Sequence, residues 1–569
     1  MRFRRMPRLA AAVFSLVVAA VPARAQTAAA PPLPLQHAPQ PTGPAITAAD
    51  LMTRLYIFAD DSMMGRQAGT PGNVKGTNYI AAEVQRLGLQ PAGDSGTFFQ
   101  TLPMAQRKLQ PGASISVGGA PLALSKDVVA LPGVQGLPFG FSFKGTDVPV
   151  VFGGRLGGKV IPPAEAAGKL VVFLPPLGPD GKPSWQFWRA SEVFQYGQAA
   201  AIGIASLDET PTGLLDGIDE MLVSVGAQGM PDRAFALGLV LSSAAAERLL
   251  GKPLDQLEPG AAGSPVTAQL DYASGAAVNP ARNVVAILPG SDPKLKGEYV
   301  AIGAHNDHIG MGEPLSHDSL KAFNIVMRPA GAESTAGVPT PEQEQRIRAV
   351  RDSLLKLYPE RRDSVFNGAD DDGSGSMSVL EIAQRLATSP KKPRRSILFV
   401  WHTGEELGLL GSQWFTEHPT VPRDSIVAQL NIDMIGRGEG TGAAGVRGDV
   451  GIIGLRRLST QLGDVIEAVN AQGPKLKFDY QYDATGHPQQ YYCRSDHYMY
   501  ARFGIPIAFF FTGAHMDYHQ RTDEPEYIDY PHMAKVANFI GDVALALANR
   551  DERPLVDHPK PDPQGACRQ

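Results

Sequence analysis

Four short apolar runs stand out in the second half of the chain. They are EYVAIGAH, RRSILFVWH, SIVAQLNID and GIPIAFFFT. Strands that are apolar at almost every position are buried on both faces, as in a parallel sheet covered by helices. Segments with helical periodicity lie between the runs, including 377–387 and 456–471. The pattern predicts an α/β fold with a mostly parallel central sheet covered by helices.

The first half of the chain has a different pattern. Residues 76–88 predict an amphipathic helix, and 120–275 contain short β-type runs such as KLVVFLP, AAIGIAS and FALGLVLS between Gly and Pro turns. A helix is predicted at ASEVFQYGQAAA. The change predicts a smaller α/β domain over 120–275, inserted into a main domain that comprises 46–119 and 276–550. Residues 551–569 would form a carboxyl-terminal tail.

The amino-terminal residues predict export. A basic start is followed by an apolar run of about a dozen residues and the small-residue pattern Ala23-Arg24-Ala25, which is typical of a signal peptide over 1–25. The Pro- and Ala-rich residues 26–45 predict a flexible linker. No later segment is long and apolar enough to predict a transmembrane helix. We therefore expect an exported protein, periplasmic or secreted, without a membrane span.

Composition narrows the classes of partner. The chain has 569 residues, of which 43% are hydrophobic, so it can bury a large core. Its net charge is −5, and the predicted signal holds five arginines and no acids, so the mature chain is more acidic still. The sequence contains no basic tract of the kind that would predict a nucleic-acid partner. Cys493 and Cys567 are the two cysteines, and the sequence leaves open whether they form a bridge.

Polar clusters follow the four apolar runs. They contain His305, Asp307 and His308 in GAHNDHIG, Glu405 and Glu406 in TGEELGLLGS, Asp433 in NIDMIG, and His515, Asp517, His519 and Asp523 in HMDYHQRTDE, while the loop NGADDDGSG adds Asp370, Asp371 and Asp372. The carboxyl ends of parallel strands meet at one edge of a sheet, where α/β proteins bind ligands. Mixed histidine and carboxylate ligands suit zinc, and paired metals about 3.5–4 Å apart occur in aminopeptidases. The pattern predicts a two-metal site.

These motifs, together with RSDH, resemble in their order those of the M28 peptidase family, which contains bacterial leucyl aminopeptidases and glutamate carboxypeptidase. The resemblance covers most of 46–550, and 120–275 resembles the protease-associated domain that many members carry. It implies a dizinc exopeptidase acting on peptides. A water that bridges the two zinc ions would attack the peptide carbonyl.

The resemblance also implies roles for individual residues. Asp370 would be the bridging carboxylate, with a cis peptide bond to Asp371. Glu406 and His519 would bind one zinc, and His305 and Asp433 the other. Glu405 would be the general base. In support, Asp307 would accept a hydrogen bond from His305, and Asp496 one from His519. Tyr518 is a candidate donor to the oxyanion, with simple packing as the alternative.

Two features complicate this interpretation. The residues DDDGSGSMSVLE also fit an EF-hand loop, with Glu381 at the twelfth position, but no second loop accompanies it. Between His305 and Asp370 lie 64 residues, and within them 312–366 form an insertion that either caps the active-site mouth or decorates the surface. Its arginines, Arg346, Arg348, Arg351, Arg361 and Arg362, are candidates for binding a substrate carboxylate.

The expected function is removal of amino-terminal residues from peptides. A carboxypeptidase of the same fold is the nearest rival and would need a basic pocket for the substrate carboxylate. Glutaminyl cyclase, with one zinc, fits the full ligand set less well. A binding protein on an inactive peptidase scaffold, which the transferrin receptor resembles, would lack ligands that are present here.

Overall fold

The computed structural model describes residues 33–569, apart from 134–138, 179–180, 186, 188–190, 211–214, 216–217, 219, 225–234, 329–336, 438–447 and 564–566. The predicted signal peptide lies outside the described residues, so export stays a prediction. Among the described residues, no helix combines the length and the apolar character needed to cross a bilayer.

Ten α-helices and 22 strands are described. The helices are α1 (Ala48–Phe58), α2 (Pro71–Arg86), α3 (Ser243–Leu250), α4 (His317–Met327), α5 (Pro341–Leu354), α6 (Gly375–Thr388), α7 (Leu410–Glu417), α8 (Thr460–Gln472), α9 (His497–Ala501) and α10 (Tyr530–Ala548). The strands are β1 (Gln90–Pro91), β2 (Phe99–Thr101), β3 (Met104–Leu109), β4 (Ser114–Val117), β5 (Ala120–Pro121), β6 (Val128–Leu131), β7 (Ser142–Val148), β8 (Val150–Arg155), β9 (Leu170–Leu174), β10 (Ala201–Ala205), β11 (Glu220–Ser224), β12 (Leu237–Leu241), β13 (Val266–Ala276), β14 (Arg282–Leu288), β15 (Tyr299–His305), β16 (Gly310–Ser316), β17 (Arg362–Phe366), β18 (Ser396–His402), β19 (Ile426–Ile432), β20 (Val450–Ile453), β21 (Phe478–Asp479) and β22 (Ile507–Phe511).

The main sheet has the order β1-β14-β18-β15-β19-β22-β20-β21, with β2 also pairing with β14. Its centre, β18-β15-β19-β22, is parallel and consists of the four predicted strands. The outer pairs β14–β18 and β20–β22 are antiparallel. The predicted α/β class is therefore confirmed, and the parallel part is the centre of the sheet.

Both faces of this centre are buried, as the continuous apolar runs predict. Ile397, Phe399 and Trp401 of β18 pack into the core formed with α1, α2, α6, α8 and α10. The alternate residues Leu398 and Val400 pack on the other face against α7 and α9. Because successive side chains of a strand point to opposite faces, one apolar run fills two cores. The four carboxyl ends are held rigidly at one edge.

The smaller lobe contains two further sheets, of five strands (β6-β12-β10-β9-β8) and six strands. The predicted strands within it are β9, β10 and β12. The long strand β13 pairs with β3 and β4, so this lobe begins near Met104 and the boundary predicted at 120 is too late. The predicted helix is a short 3-10 turn, Ser191–Gln195. The resemblance of this smaller lobe to a protease-associated domain stays a prediction.

Both terminal segments of the described chain are tied to the main domain. In the predicted linker, the Leu33 carbonyl accepts a hydrogen bond from Tyr358 (2.8 Å), and the His37 ring contacts the Thr53 hydroxyl (3.1 Å). Residues 33–45 are thus not a free spacer. At the other end, a disulfide joins Cys493 to Cys567 across 74 positions of sequence. This settles the pairing that the sequence left open.

Candidate metal centre

The carboxyl edge of the main sheet gathers the predicted polar residues. His305 is the last residue of β15, Glu405 and Glu406 follow β18, Asp433 follows β19, and His519 lies on the segment after β22. Asp433, Glu406 and His305 are buried or nearly so, and the ring of His519 is about one-third exposed. Four distant parts of the sequence therefore meet at one place.

Asp371 lies at the centre of this cluster. Its Oδ1 atom is 3.1 Å from Nε2 of His305, and its Oδ2 atom is 3.1 Å from Nε2 of His519. On the two sides, Glu406 Oε2 lies 3.0 Å from His519 Nε2, and Asp433 Oδ1 lies 3.8 Å from His305 Nε2. One carboxylate is thus shared by two histidines, each with a further carboxylate beside it.

These separations fit two metal ions. Two ligand atoms about 2.0–2.1 Å from a tetrahedral zinc lie roughly 3.3 Å apart. The contacts of Asp371 with both imidazoles and of Glu406 with His519 are within a few tenths of an ångström of that value. The donor set, histidine with carboxylates, is also the one that zinc prefers in catalytic sites.

The charge of the site points the same way. Burial would lower the pKa of His519, yet the carboxylates of Glu406 and Asp371 raise that pKa to about 10. Burial and the charge of Asp371 raise the pKa of Asp433 to about 7, although His305 opposes the shift. Carboxylates therefore outnumber the positive groups in a buried space, which is costly unless cations balance them.

Several buried polar atoms also lack a hydrogen bond within the described residues. They include Asp371 Oδ2, Glu406 Oε1 and both ring nitrogens of His308, because the close contacts of these atoms with His519 and with each other do not have hydrogen-bond geometry. Buried polar atoms are almost always paired in folded proteins. A cluster of carboxylate oxygens and imidazole nitrogens without hydrogen bonds is typical of a metal site.

Asp370 does not occupy the predicted bridging position. Its Oδ1 accepts a hydrogen bond from the Gly436 N–H (2.6 Å), and its Oδ2 lies 3.1 Å from Nε2 of His515. The backbone at Asp371 is close to extended, with φ −101° and ψ 101°, so adjacent side chains point to different sides. The cis peptide bond is likewise one residue later, between Asp371 and Asp372.

The resemblance to peptidases assigned no role to Asp372 or His308. The Asp372 carboxylate accepts hydrogen bonds from the N–H groups of His305 (3.0 Å) and Gly375 (2.8 Å), which ties β15 to α6. Nδ1 of His308 lies 2.6 Å from Glu406 Oε1. A run of three aspartates gives no sequence signal that separates the one facing the cluster from its two neighbours.

Glu405 stands beside the cluster rather than between the histidines. Its Oε2 atom is 4.0 Å from Nε2 of His305, and its N–H donates to Asp307 Oδ1 (3.2 Å). Burial and the charges of Asp433 and Glu406 raise the pKa of Glu405 well above its ordinary value, although His305 opposes them. A carboxylate in this position can exchange a proton with a group bound in the site.

A small pocket opens against Glu405, Asp371 and Asp433. Its other lining residues are Met434, Tyr491, Arg494, Ser495, Phe509, Phe511, Ala514 and Tyr518. The wall opposite the carboxylates is thus mostly aromatic and apolar, with one guanidinium group. Such a pocket suits an apolar side chain held next to the reactive groups.

The predicted supporting residues have mixed outcomes. Nδ1 of His305 lies 3.1 Å from the backbone carbonyl of Asp307 and 3.7 Å from its carboxylate, so Asp307 contacts the predicted histidine chiefly through its main chain. Asp496 does not reach His519. Its Oδ2 atom lies 3.3 Å from Nδ1 of His402, because Asp496 precedes α9, which packs beneath β18 and β19.

Tyr518 lines the pocket and also packs. Its hydroxyl oxygen accepts a hydrogen bond from Arg494 (3.3 Å), and its ring lies 3.9 Å, centre to centre, from that of His519. Burial raises the pKa of Tyr518 well above its ordinary value. The hydroxyl therefore stays protonated at neutral pH and can donate a hydrogen bond.

The EF-hand alternative does not fit the structure. Glu381 lies in α6, where its carboxylate forms a buried ion pair with Arg54 of α1. Asp372 is used by backbone N–H groups rather than facing Glu381. A twelfth-position ligand must face the same ion as the first residues of the loop, and here it does not.

Comparisons with known proteins match the part of the chain that contains the site. Residues 283–544 match the profile of peptidase family M28. This part of the chain is similar to the M28 peptidases. A curated relative, leucine aminopeptidase 1 of Uncinocarpus reesii, is 34% identical over 190 residues, which are 32% of this chain and 46% of the relative. The chain thus aligns with about half the length of the curated relatives it matches.

Two solved structures share the fold over most of the chain. The aminopeptidase from Aneurinibacillus sp. strain AM-1 has a TM-score of 0.52 at 16% identity and covers 91% of this chain and 97% of its own. BSAP, a zinc aminopeptidase from Bacillus subtilis, has a TM-score of 0.51 at 17% identity, with coverages of 88% and 95%. At these identities the likeness establishes the fold.

Proposed function

We propose that this protein is a zinc-dependent aminopeptidase that removes apolar residues from the amino ends of peptides. The observation that carries the proposal is Asp371, shared by His305 and His519 at 3.1 Å each, with Glu405 on the wall of the adjoining pocket. The names of the curated relative and of the two solved structures support the aminopeptidase direction.

The residues that would hold zinc follow from the contacts. Asp371 would bind both ions, His305 and Asp433 one of them, and His519 and Glu406 the other. When bound, zinc would polarise the scissile carbonyl and make water a stronger nucleophile. Asp370 would not be the bridging ligand that the sequence predicts. It would support the site from outside the ligand set, through its contacts with His515 and the Gly436 N–H.

Glu405 would carry the proton. As water forms the new C–O bond to the carbonyl carbon, its proton passes to the Glu405 carboxylate. Glu405 then returns the proton to the leaving nitrogen as the C–N bond breaks, which frees the shortened peptide. Tyr518, buttressed by Arg494, lies where its hydroxyl can donate to the developing oxyanion. Phe509, Phe511 and Tyr491 would contact the side chain of the residue removed.

Arg494 favours one alternative, a carboxypeptidase. It is the pocket's one cationic side chain among the described lining residues. The predicted alternative binders lie elsewhere: Arg348 pairs with Glu344 on the exposed helix α5, and Arg361 pairs with Glu526. A substrate carboxylate would therefore have to be bound by Arg494, whose guanidinium already donates to Tyr518.

A blocked-peptide assay separates the two directions. One peptide pool is acetylated at the amino end and a second is amidated at the carboxyl end, and mass spectrometry follows each with and without a zinc chelator. We expect chelator-sensitive loss of single residues from the amidated pool alone. Loss from the acetylated pool would favour the carboxypeptidase. No cleavage of either pool by zinc-loaded protein would refute the peptidase proposal.

A further inference from the structure

The insertion (residues 312–366) reaches the metal centre through helix α4. Lys321 of this helix is 5% exposed, and its ammonium group forms an ion pair with Asp517. The same ammonium lies 3.5 Å from the centre of the Tyr527 ring. A lysine is almost never buried unless it is paired, so this contact is a specific one.

Asp517 has further partners besides Lys321. Its Oδ2 atom also pairs with Arg437 (3.1 Å), and its Oδ1 accepts a hydrogen bond from the Thr522 hydroxyl (2.7 Å). The amide of Asn324, one helical turn after Lys321, donates to that same hydroxyl oxygen (3.1 Å). Helix α4 thus contacts the segment 515–523 at two residues, Asp517 and Thr522.

This segment carries a proposed zinc ligand in a conformation that needs support. His519 has a φ of 57°, in the left-handed region that non-glycine residues rarely adopt. Such conformations persist only where the surroundings enforce them. Two residues earlier, Asp517 accepts the Gln520 N–H at its carbonyl (2.8 Å), so the turn around His519 starts from the residue that Lys321 holds.

The same segment also fixes the shared carboxylate. The carboxylate of Asp523 accepts hydrogen bonds from the N–H groups of Asp370 (3.0 Å) and Asp371 (3.1 Å). Its carbonyl accepts a third from Ala369 (3.0 Å). Displacement of 515–523 would therefore move both His519 and the backbone that presents Asp371.

We propose that Lys321 is a positioning residue of the metal centre, through which the insertion holds segment 515–523 so that His519 meets Asp371 and Glu406. This inference rests on the proposed zinc site. It gives the insertion a role that is neither a cap nor surface decoration. Partners that orient metal ligands from outside contribute about 10–100-fold to metal affinity.

The test is zinc binding by Lys321→Met, which keeps the length of the side chain and removes its charge. Arg437 and Thr522 still pair with Asp517, so the variant retains a folded segment. Competition with a chromophoric chelator should show one of two zinc ions bound at least about tenfold more weakly than in the wild type. Lys321→Arg should restore most of the affinity, and Lys356→Met, an exposed lysine of the same insertion, should leave it unchanged.

A second measurement separates positioning from general stability. Zinc raises the unfolding temperature by an amount set by its affinity for the native state. In Lys321→Met that zinc-dependent gain should shrink, whereas a purely structural role would lower the apo and zinc-loaded temperatures equally. Equal lowering with unchanged zinc affinity would overturn the inference. If Lys321→Met does not fold, the same zinc-affinity and unfolding measurements are made on Asn324→Ala, which removes the hydrogen bond from helix α4 to Thr522.

The failure of this inference is distinguishable from failure of the proposed function. Wild-type protein that binds no zinc with useful affinity would refute the zinc site itself. Wild-type protein that binds two ions, with a Lys321→Met variant that binds both equally well, would refute only the role of the insertion.

Discussion

Asp371→Asn is the most direct test of the shared carboxylate. The substitution keeps the shape of the side chain and removes its charge, which lies 3.1 Å from a ring nitrogen on each side. Two unit charges at this distance interact by about 5 kcal/mol in an effective dielectric of about 20, and a doubly charged zinc ion held between the carboxylate and a neutral imidazole would interact at least as strongly. Each 1.36 kcal/mol corresponds to about a factor of ten in affinity.

The expected loss is therefore large for both ions. The asparagine carbonyl and entering water would recover part of the lost interaction, so we expect zinc affinity to fall by at least about 100-fold, against a full electrostatic loss approaching four factors of ten. Activity should fall with it. The assay is zinc content after dialysis against chelator-buffered zinc, with affinity measured by competition.

Asp370→Asn is the matched control, because it changes the adjacent residue in the same way. Its carbonyl oxygen can still accept from the Gly436 N–H, and the change weakens only the contact with His515. We expect both zinc ions to be retained and the free energy of unfolding to fall by about 1–3 kcal/mol. Loss of zinc from Asp370→Asn, with retention in Asp371→Asn, would refute the assignment.

Three further predictions concern catalysis, the tail and pH. Glu405→Gln should keep both zinc ions and lower kcat by at least about 100-fold, and near-normal turnover would contradict its role as base. Removing the Cys493–Cys567 bridge by Cys567→Ser should lower the free energy of unfolding in a denaturant titration by up to about 4 kcal/mol, because it closes a loop of 74 residues; no change would mean that the tail is not constrained in the folded protein. Burial lowers the pKa of His497 to about 3, so the unfolded chain binds the extra proton first. The free energy of unfolding should therefore fall by about 1.4 kcal/mol per pH unit, because of this group, as the pH decreases below about 6.5. In urea titrations, His497→Phe should show a smaller fall on acidification than the wild type. Identical pH profiles would be evidence against a neutral buried imidazole.

The central sheet could be predicted because its signal is local. β15, β18, β19 and β22 are apolar at nearly every position, and both of their faces are buried. The edges gave weaker signals. β1 has two residues, and β14 pairs antiparallel, which the predicted strand–helix alternation does not imply. Pairing direction at an edge depends on distant segments, so no local pattern reveals it.

The site was predicted at the level of motifs and missed at the level of single side chains. Asp370, Asp371 and Asp372 are chemically identical, and the backbone sends one to the histidines, one to Gly436 and one to the N–H of His305. Asp496 was assigned to His519 by position in a motif, but it faces His402. Spacing fixes which loop reaches an edge, whereas φ and ψ decide which residue of the loop points inward.

The insertion shows the same limit over a longer range. Helix α5 has the clearest sequence signal in it, with a capping box at Thr340, yet it buries none of its residues. Helix α4 contains Lys321, whose partner Asp517 lies 196 positions away. Amphipathic periodicity indicates that a helix has a buried face, but a buried charge is explained only by its partner. That is why the contact joining the insertion to the metal centre comes from the structure, and why Lys321→Met tests it.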